Sequence, residues 1–148
     1  MNVDLAEPIE ILLVEDNEGD IFLTKKAFEK AKIANNIYVA KDGEEAMKIL
    51  NKQGDYSNSP TPHIVLLDIN LPKKTGIEVL KEMKQRDKLK RIPVVILTSS
   101  KAEQDIVKTY DLYASSYIVK PLSLHNFHEV VTAIEDFWFS VVVLPKAI

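Results

Sequence analysis

The chain has no cysteine among its 148 residues, so it carries neither a disulfide nor a thiolate metal site. That fits a reducing compartment. No stretch approaches the ~20 consecutive apolar residues of a membrane-spanning helix, and no basic segment followed by a long apolar run opens the sequence. A cytoplasmic protein without membrane attachment is the expectation. Charge of one sign is also lacking. The 19 basic and 22 acidic side chains leave a net charge of -3, which gives no drive toward nucleic acid or anionic membranes. There is no internal repeat and no sign of a second domain. With 46% hydrophobic and 28% charged residues, the composition is that of one ordinary globular domain rather than a disordered chain.

What is present is a set of apolar runs that each end in a polar residue. The central one is His63-Ile64-Val65-Leu66-Leu67-Asp68-Ile69-Asn70-Leu71-Pro72. Four consecutive apolar residues suit a strand covered on both faces, and Pro72 and Gly76 mark the loop beyond it. Ile9 to Val14 ends in Glu15 and Asp16, Ile92 to Leu97 in Thr98, and Ser116 to Val119 in Lys120-Pro121. Ile37 to Ala40 is a short second strand. Helices are expected from Asn17 to about Lys32, with Leu23, Ala27 and Ala31 on the buried face and Asn35-Asn36 as the breaker. Others are expected from Asp42 (N-cap, with Glu45 in capping-box position), from Thr75 to Arg86, from Glu103 to Tyr110 and from Ser123 to Phe139. Gln53 to Pro62 reads as a surface loop. Residues 1–8 read as a leader, 9–139 as the domain and 140–148 as an apolar C-terminal extension. Strand and helix alternate five times, which argues for a parallel sheet with helices on both faces.

In a doubly wound sheet the strand ends converge on one crevice. Each polar residue there has an ordinary structural explanation: Asp68 as a turn cap, Glu15 and Asp16 as helix-start acids. Together they place three carboxylates, a hydroxyl and an ammonium at one point. Such a set suits Mg²⁺ beside a phosphate, with Thr98 and Lys120 as phosphoryl partners and a carboxylate as nucleophile.

Leu13-Val14-Glu15-Asp16-Asn17, Leu66 to Pro72 with Gly76, Val95 to Ser99 and Tyr117 to Pro121 closely resemble a response-regulator receiver domain over about residues 9–139. The resemblance implies a flavodoxin-like fold with five parallel strands in the order 2-1-3-4-5. It also implies that Asp68 accepts a phosphoryl group from the phosphohistidine of a sensor histidine kinase. Glu15, Asp16, Asp68 and the Asn70 carbonyl would hold Mg²⁺. Thr98 and Tyr117 would form the switch, Lys120 would pair with the phosphoryl group, and the bond into Pro121 would be cis. Ser99 and Tyr113 depart from the family's usual Ala and Gly beside the switch. The Gln53–Pro62 loop, Asn70 to Lys74, Lys90 to Pro93 and Phe137 to Pro145 are similar to the small stand-alone regulators paired with cyanobacterial phytochromes, which implies a light-regulated kinase as phosphodonor.

Nothing after Phe139 is long enough for an output domain, so output is expected as a change of surface. The last helix presents Phe127, Val130, Val131, Ile134, Phe137 and Trp138 on a face wider than a core stripe needs, followed by the apolar tail. A homodimer through the fourth and last helices, clasped by the tail, is expected; the other reading is a tail folded back on its own domain. His125 and His128 read as a solvated face. Lys73-Lys74 and Lys88 to Arg91 are too sparse for nucleic acid. Two rival functions remain for comparison. A Mg²⁺-dependent phosphatase with an aspartyl phosphate would need an acid two residues after Asp68, where Asn70 stands. A phosphorylation-independent adaptor would be expected to lose Asp68, an acidic-pair residue or Lys120, and all are present.

Overall fold

The computed structural model describes residues 8–31, 34–98, 116–120, 128 and 131–132, with the backbone alone for 116–119. Five strands form one parallel sheet: β1 Ile9–Val14, β2 Asn35–Ala40, β3 Ile64–Asp68, β4 Val94–Thr98 and β5 Ser116–Val119. Their order is β2-β1-β3-β4-β5, the flavodoxin-like order expected from the sequence. The helices are α1 Glu18–Glu29, α2 Gly43–Leu50 and α3 Gly76–Gln85. Residues 128, 131 and 132 are also helical.

Side chains alternate across β1, β3 and β4, and both faces of these strands are covered, which is why they read as unbroken apolar runs. Leu12, Val14, Val65, Leu67, Val94 and Ile96 pack against Ala46, Leu50, Val79, Leu80 and Met83 of α2 and α3. Ile11, Leu13, Ile64, Leu66, Val95 and Leu97 pack on the other face against Ile21, Ala27 and Phe28 of α1 and against Val131. Glu15 and Asp68 continue the alternation on the α1 side: Leu13 is in register with Leu66 and Val14 with Leu67, so the next step brings Glu15 beside Asp68.

The local differences from the sequence reading have physical causes. Asn35 and Asn36 do not break the chain before β2; they begin it. β2 lies at the sheet edge, where polar residues are tolerated, and their side chains donate to the Phe28 carbonyl (3.0 Å) and to Glu10 Oε1 (3.1 Å). α1 buries Ile21, Thr24, Ala27 and Phe28, while Leu23 and Ala31 are only partly covered. The Phe28 ring sets that rotation, and the Thr24 hydroxyl is satisfied by donating to the Asp20 carbonyl at 2.8 Å. β4 starts at Val94 because Pro93 has no N–H for the ladder, although its carbonyl accepts from Val65 N. Asp42 caps α2 by accepting from Glu45 N, but Glu45 does not return to Asp42. Its two oxygens accept from Lys41 N and from the Tyr56 hydroxyl in the Gly54–Tyr56 turn.

The complete capping box lies at α3, where Thr75 and Glu78 each accept from the other's backbone N–H. It fixes the end of the loop that leaves Asp68. We expect Thr75→Ala to lower stability by about 1 kcal/mol, read from the midpoint of urea unfolding.

Candidate functional site

The end of β3 places Asp68 in the sheet's crevice with only 3% of its surface exposed. One carboxylate oxygen accepts from Asn70 N at 3.1 Å, and the other lies 3.0 Å from Lys120 Nζ. Lys120 arrives from the end of β5, where its own N–H donates to the Thr98 carbonyl. Its ammonium also meets Glu15, with Oε1 at 3.0 Å and Oε2 at 3.2 Å. Glu15 is fully buried, and its Oε2 accepts from Asn17 N as well. Asp16, one residue on, is exposed. Carboxylate oxygens of Glu15, Asp16 and Asp68 all lie within 4.8 Å of one another.

The loop beyond Asp68 is compact because Gly76 and Gly43 have no side chain. Gly76 N donates to the Ile69 carbonyl, and a Cβ on Gly76 would stand 2.2 Å from the Asp68 carbonyl oxygen. At the start of α2, a Cβ on Gly43 would stand 1.9 Å from the Lys74 carbonyl oxygen. Ion pairs of Lys73 with Asp42 (3.7 Å) and of Lys74 with Glu82 tie the same loop to α2 and α3.

Charge in this crevice is unbalanced. Burial pushes the Glu15 carboxyl up from 4.5 to about 7, with further upward pressure from its hydrogen bond to Asp68 and that group's charge; Lys120 and Asn17 N oppose this only in part. Burial disfavours the Lys120 ammonium, but hydrogen bonds to Asp20, Glu15 and Asp68 outweigh it and hold its pKa above the ordinary lysine value. Among the described residues the buried Thr98 hydroxyl has no hydrogen-bond partner. Excess carboxylate charge and an unused hydroxyl fit a bound divalent cation and an incoming anionic oxygen.

The Glu15 shift carries a testable sign. A raised carboxyl pKa means the folded metal-free protein favours the proton, so this group's contribution to stability is lost as pH rises from the ordinary carboxylate range through about 7. A cation needs the ionised form. We therefore expect divalent-cation affinity to fall as pH drops below about 7, with proton uptake or release seen by calorimetry in buffers of different ionisation enthalpy.

The structure brings together Glu15, Asp16, Asp68 and Lys120, with Asn70 and Thr98 beside them. It also adds a residue the sequence reading missed. Asp20, in the first turn of α1, places Oδ2 3.0 Å from Lys120 Nζ. An acid at that position looks like an ordinary helix-start acid, and only the fold shows the lysine opposite it. For Tyr117 the structure describes only the backbone, in register with Ile96. Pro121, Ser99, Tyr113, His125, the 103–110 helix, Phe127, Val130, Ile134, Phe137, Trp138 and the 140–148 tail lie outside the described residues. Val131 corrects the expected interface: it is 3% exposed and belongs to the chain's own core, because its position on the helix faces β1 and α1. His128 is exposed, as a solvated face requires. Among the described residues, no helix is long and apolar enough to cross a membrane.

A flavodoxin-like sheet with an acidic pocket, a lysine and a buried threonine at its strand ends defines a phosphoacceptor class of signalling domain. The chain belongs to the response regulator receiver family, whose profile matches residues 11–132. It is 45% identical to response regulator Rcp1 of Synechocystis sp. over 147 residues, covering 99% of this chain and 100% of that protein. Among solved structures it is similar to the phosphorylated cyanobacterial phytochrome response regulator RcpA, with a TM-score of 0.80 and 44% identity over 94% of this chain and 99% of that one. It is also similar to the Mn²⁺-bound form of Rcp1, with a TM-score of 0.78 and 45% identity over 93% and 99%. The protein is thus a response regulator whose receiver domain accepts phosphoryl groups, and the rival readings as phosphatase or phosphate-independent adaptor are not favoured.

Proposed function

We propose that Asp68 is the phosphoacceptor, taking its phosphoryl group from the phosphohistidine of a sensor histidine kinase, and that this kinase is a phytochrome. The observation that carries the reading is the buried Asp68 carboxylate held between Lys120 and the Glu15–Asp16 pair. In the transfer, an Asp68 carboxylate oxygen bonds to phosphorus while the P–N bond breaks. Its electron pair stays on the leaving imidazole. Lys120 offers positive charge to the phosphoryl oxygens, and the Thr98 hydroxyl gains the partner it lacks. Glu15, Asp16, Asp68 and the Asn70 carbonyl would hold Mg²⁺, which when bound neutralises charge on the transferring group. The chain turns over no separate substrate; its chemistry is its own phosphorylation and dephosphorylation. The phytochrome assignment rests on the likeness to Rcp1 and RcpA, and the cytoplasmic location on the lack of cysteine.

By the family resemblance, Tyr117 would complete the switch with Thr98, and the bond into Pro121 would be cis. Output through a homodimer remains supported by the sequence pattern alone, through Phe127, Val130, Ile134, Phe137, Trp138 and the tail, now without Val131. A mass that does not change with concentration in either phosphorylation state would contradict the dimer.

The phosphoacceptor reading is tested by intact mass after incubation with acetyl phosphate. We expect one phosphate adduct that requires Mg²⁺ and is missing in Asp68→Asn. An adduct of equal yield in the variant would contradict it.

A further inference from the structure

We propose that Asp20 is a positioning residue that receives the Lys120 ammonium when a divalent cation claims Glu15 and Asp68. The proposal rests on the cation site described above and concerns how the lysine and the cation share it.

An ammonium has three donor hydrogens. Here they face three carboxylates, with Asp20 Oδ2 and Asp68 Oδ2 each 3.0 Å from Nζ and Glu15 Oε2 accepting at 3.2 Å. Two of those three also belong to the carboxylate trio suited to a cation, whereas Asp20 does not. Lys120 and a cation therefore compete for Glu15 and Asp68, and a buried ammonium stripped of partners is costly. Asp20 is the one partner that the cation leaves in place.

The local structure leaves Asp20 available for this. It is the third residue of α1, counted from the Asn17 cap, and its N–H donates to Asn17 Oδ1 at 2.9 Å. In a capping box an acid at this position reaches back to the N–H of the cap residue. That N–H is already taken by Glu15 Oε2 at 3.1 Å, so the Asp20 carboxylate is directed to the lysine instead. With 19% of its side chain exposed, it sits at the rim, beside a lysine side chain that is 18% exposed. A short rotation of the lysine head toward the rim releases both inner carboxylates and keeps the charge paired.

The test is calorimetric titration of Mg²⁺ into the full chain. Asp20→Asn keeps an acceptor of the same size but removes the charge that draws the lysine outward, so Lys120 holds Glu15 and Asp68 more firmly. We expect Mg²⁺ affinity to fall roughly fivefold. In a Lys120→Met background the same substitution should change affinity by about twofold or less, because there is no ammonium left to place. Asp20→Glu should return affinity to near the wild-type value. Spectra of ¹⁵N-labelled lysine give a readout independent of affinity: the Lys120 ammonium protons should stay protected on Mg²⁺ addition in wild type and exchange rapidly in Asp20→Asn. Unchanged affinity in Asp20→Asn, or an equal loss with and without Lys120, would overturn the positioning role. A wild-type chain that binds no Mg²⁺ would overturn the cation site as well, so the two failures are distinguishable.

Discussion

Gly76→Ala is expected to lower the melting temperature by roughly 5–10 °C, a loss of about 2–3 kcal/mol for a domain of this size, and to slow phosphorylation of the folded fraction. The reason is a backbone-to-backbone collision. The added Cβ would lie 2.2 Å from the Asp68 carbonyl oxygen and 2.7 Å from the Ile69 Cα, and neither atom can rotate away as a side chain could. Relief requires moving α3 or the strand end. α3 is anchored by Val79, Leu80 and Met83, all fully buried, so the strand end is the part that gives. The displaced atoms belong to Asp68, the proposed phosphoacceptor, and to Ile69, whose N–H and carbonyl hold the loop to Leu97 and Gly76. Thermal melting combined with acetyl phosphate kinetics checks this. Normal melting with normal phosphorylation would show that the loop can move more freely than the packing implies.

Lys120→Met has the second large effect, and it depends on pH. Without the ammonium, Glu15 and Asp68 are two buried carboxylates side by side, and breaking a buried ion pair typically costs about 3–5 kcal/mol. Part of that loss is relieved by a proton. Lys120 is one of the groups holding the Glu15 pKa down, so its removal lets that pKa rise further above about 7. A raised carboxyl pKa favours the folded state at low pH and ceases to help as pH rises through it. The variant should therefore lose least stability in mildly acid buffer and most in mildly alkaline buffer. Mg²⁺ should restore part of the loss by binding only the folded chain. Urea unfolding of wild type and variant at both pH values, with and without Mg²⁺, tests all three statements. A loss independent of pH and metal would mean that Lys120 contributes packing rather than charge.

The parts of this structure legible in the sequence are those where burial and chemistry meet abruptly. β3 and β4 are apolar on both faces and stop at Asp68 and Thr98, so their ends could be located. The same logic found Glu15 and Lys120. Less legible were features decided by partners distant in sequence. Asp20 has the type and position of a helix-start acid, and its pairing with Lys120 spans a hundred residues of chain. The rotation of α1 was set by the large Phe28 side chain and a self-satisfied Thr24, not by the four-residue spacing of Leu23, Ala27 and Ala31. Asn35 and Asn36 entered β2 because an edge strand can expose them. The start of α3 was legible at Thr75, its N-cap, although the reciprocal Thr75–Glu78 capping box was not read there.

The central claim is that phosphorylation occurs on Asp68. An acyl phosphate is reduced by borohydride to the alcohol, which converts the modified aspartate to homoserine and leaves other aspartates intact. The chain would be treated with acetyl phosphate and Mg²⁺, reduced, digested and mapped by mass spectrometry. Homoserine at position 68, dependent on Mg²⁺ and found at no other position, is the expected result. Homoserine at Asp16, Asp20 or elsewhere, with Asp68 unmodified, would contradict the account.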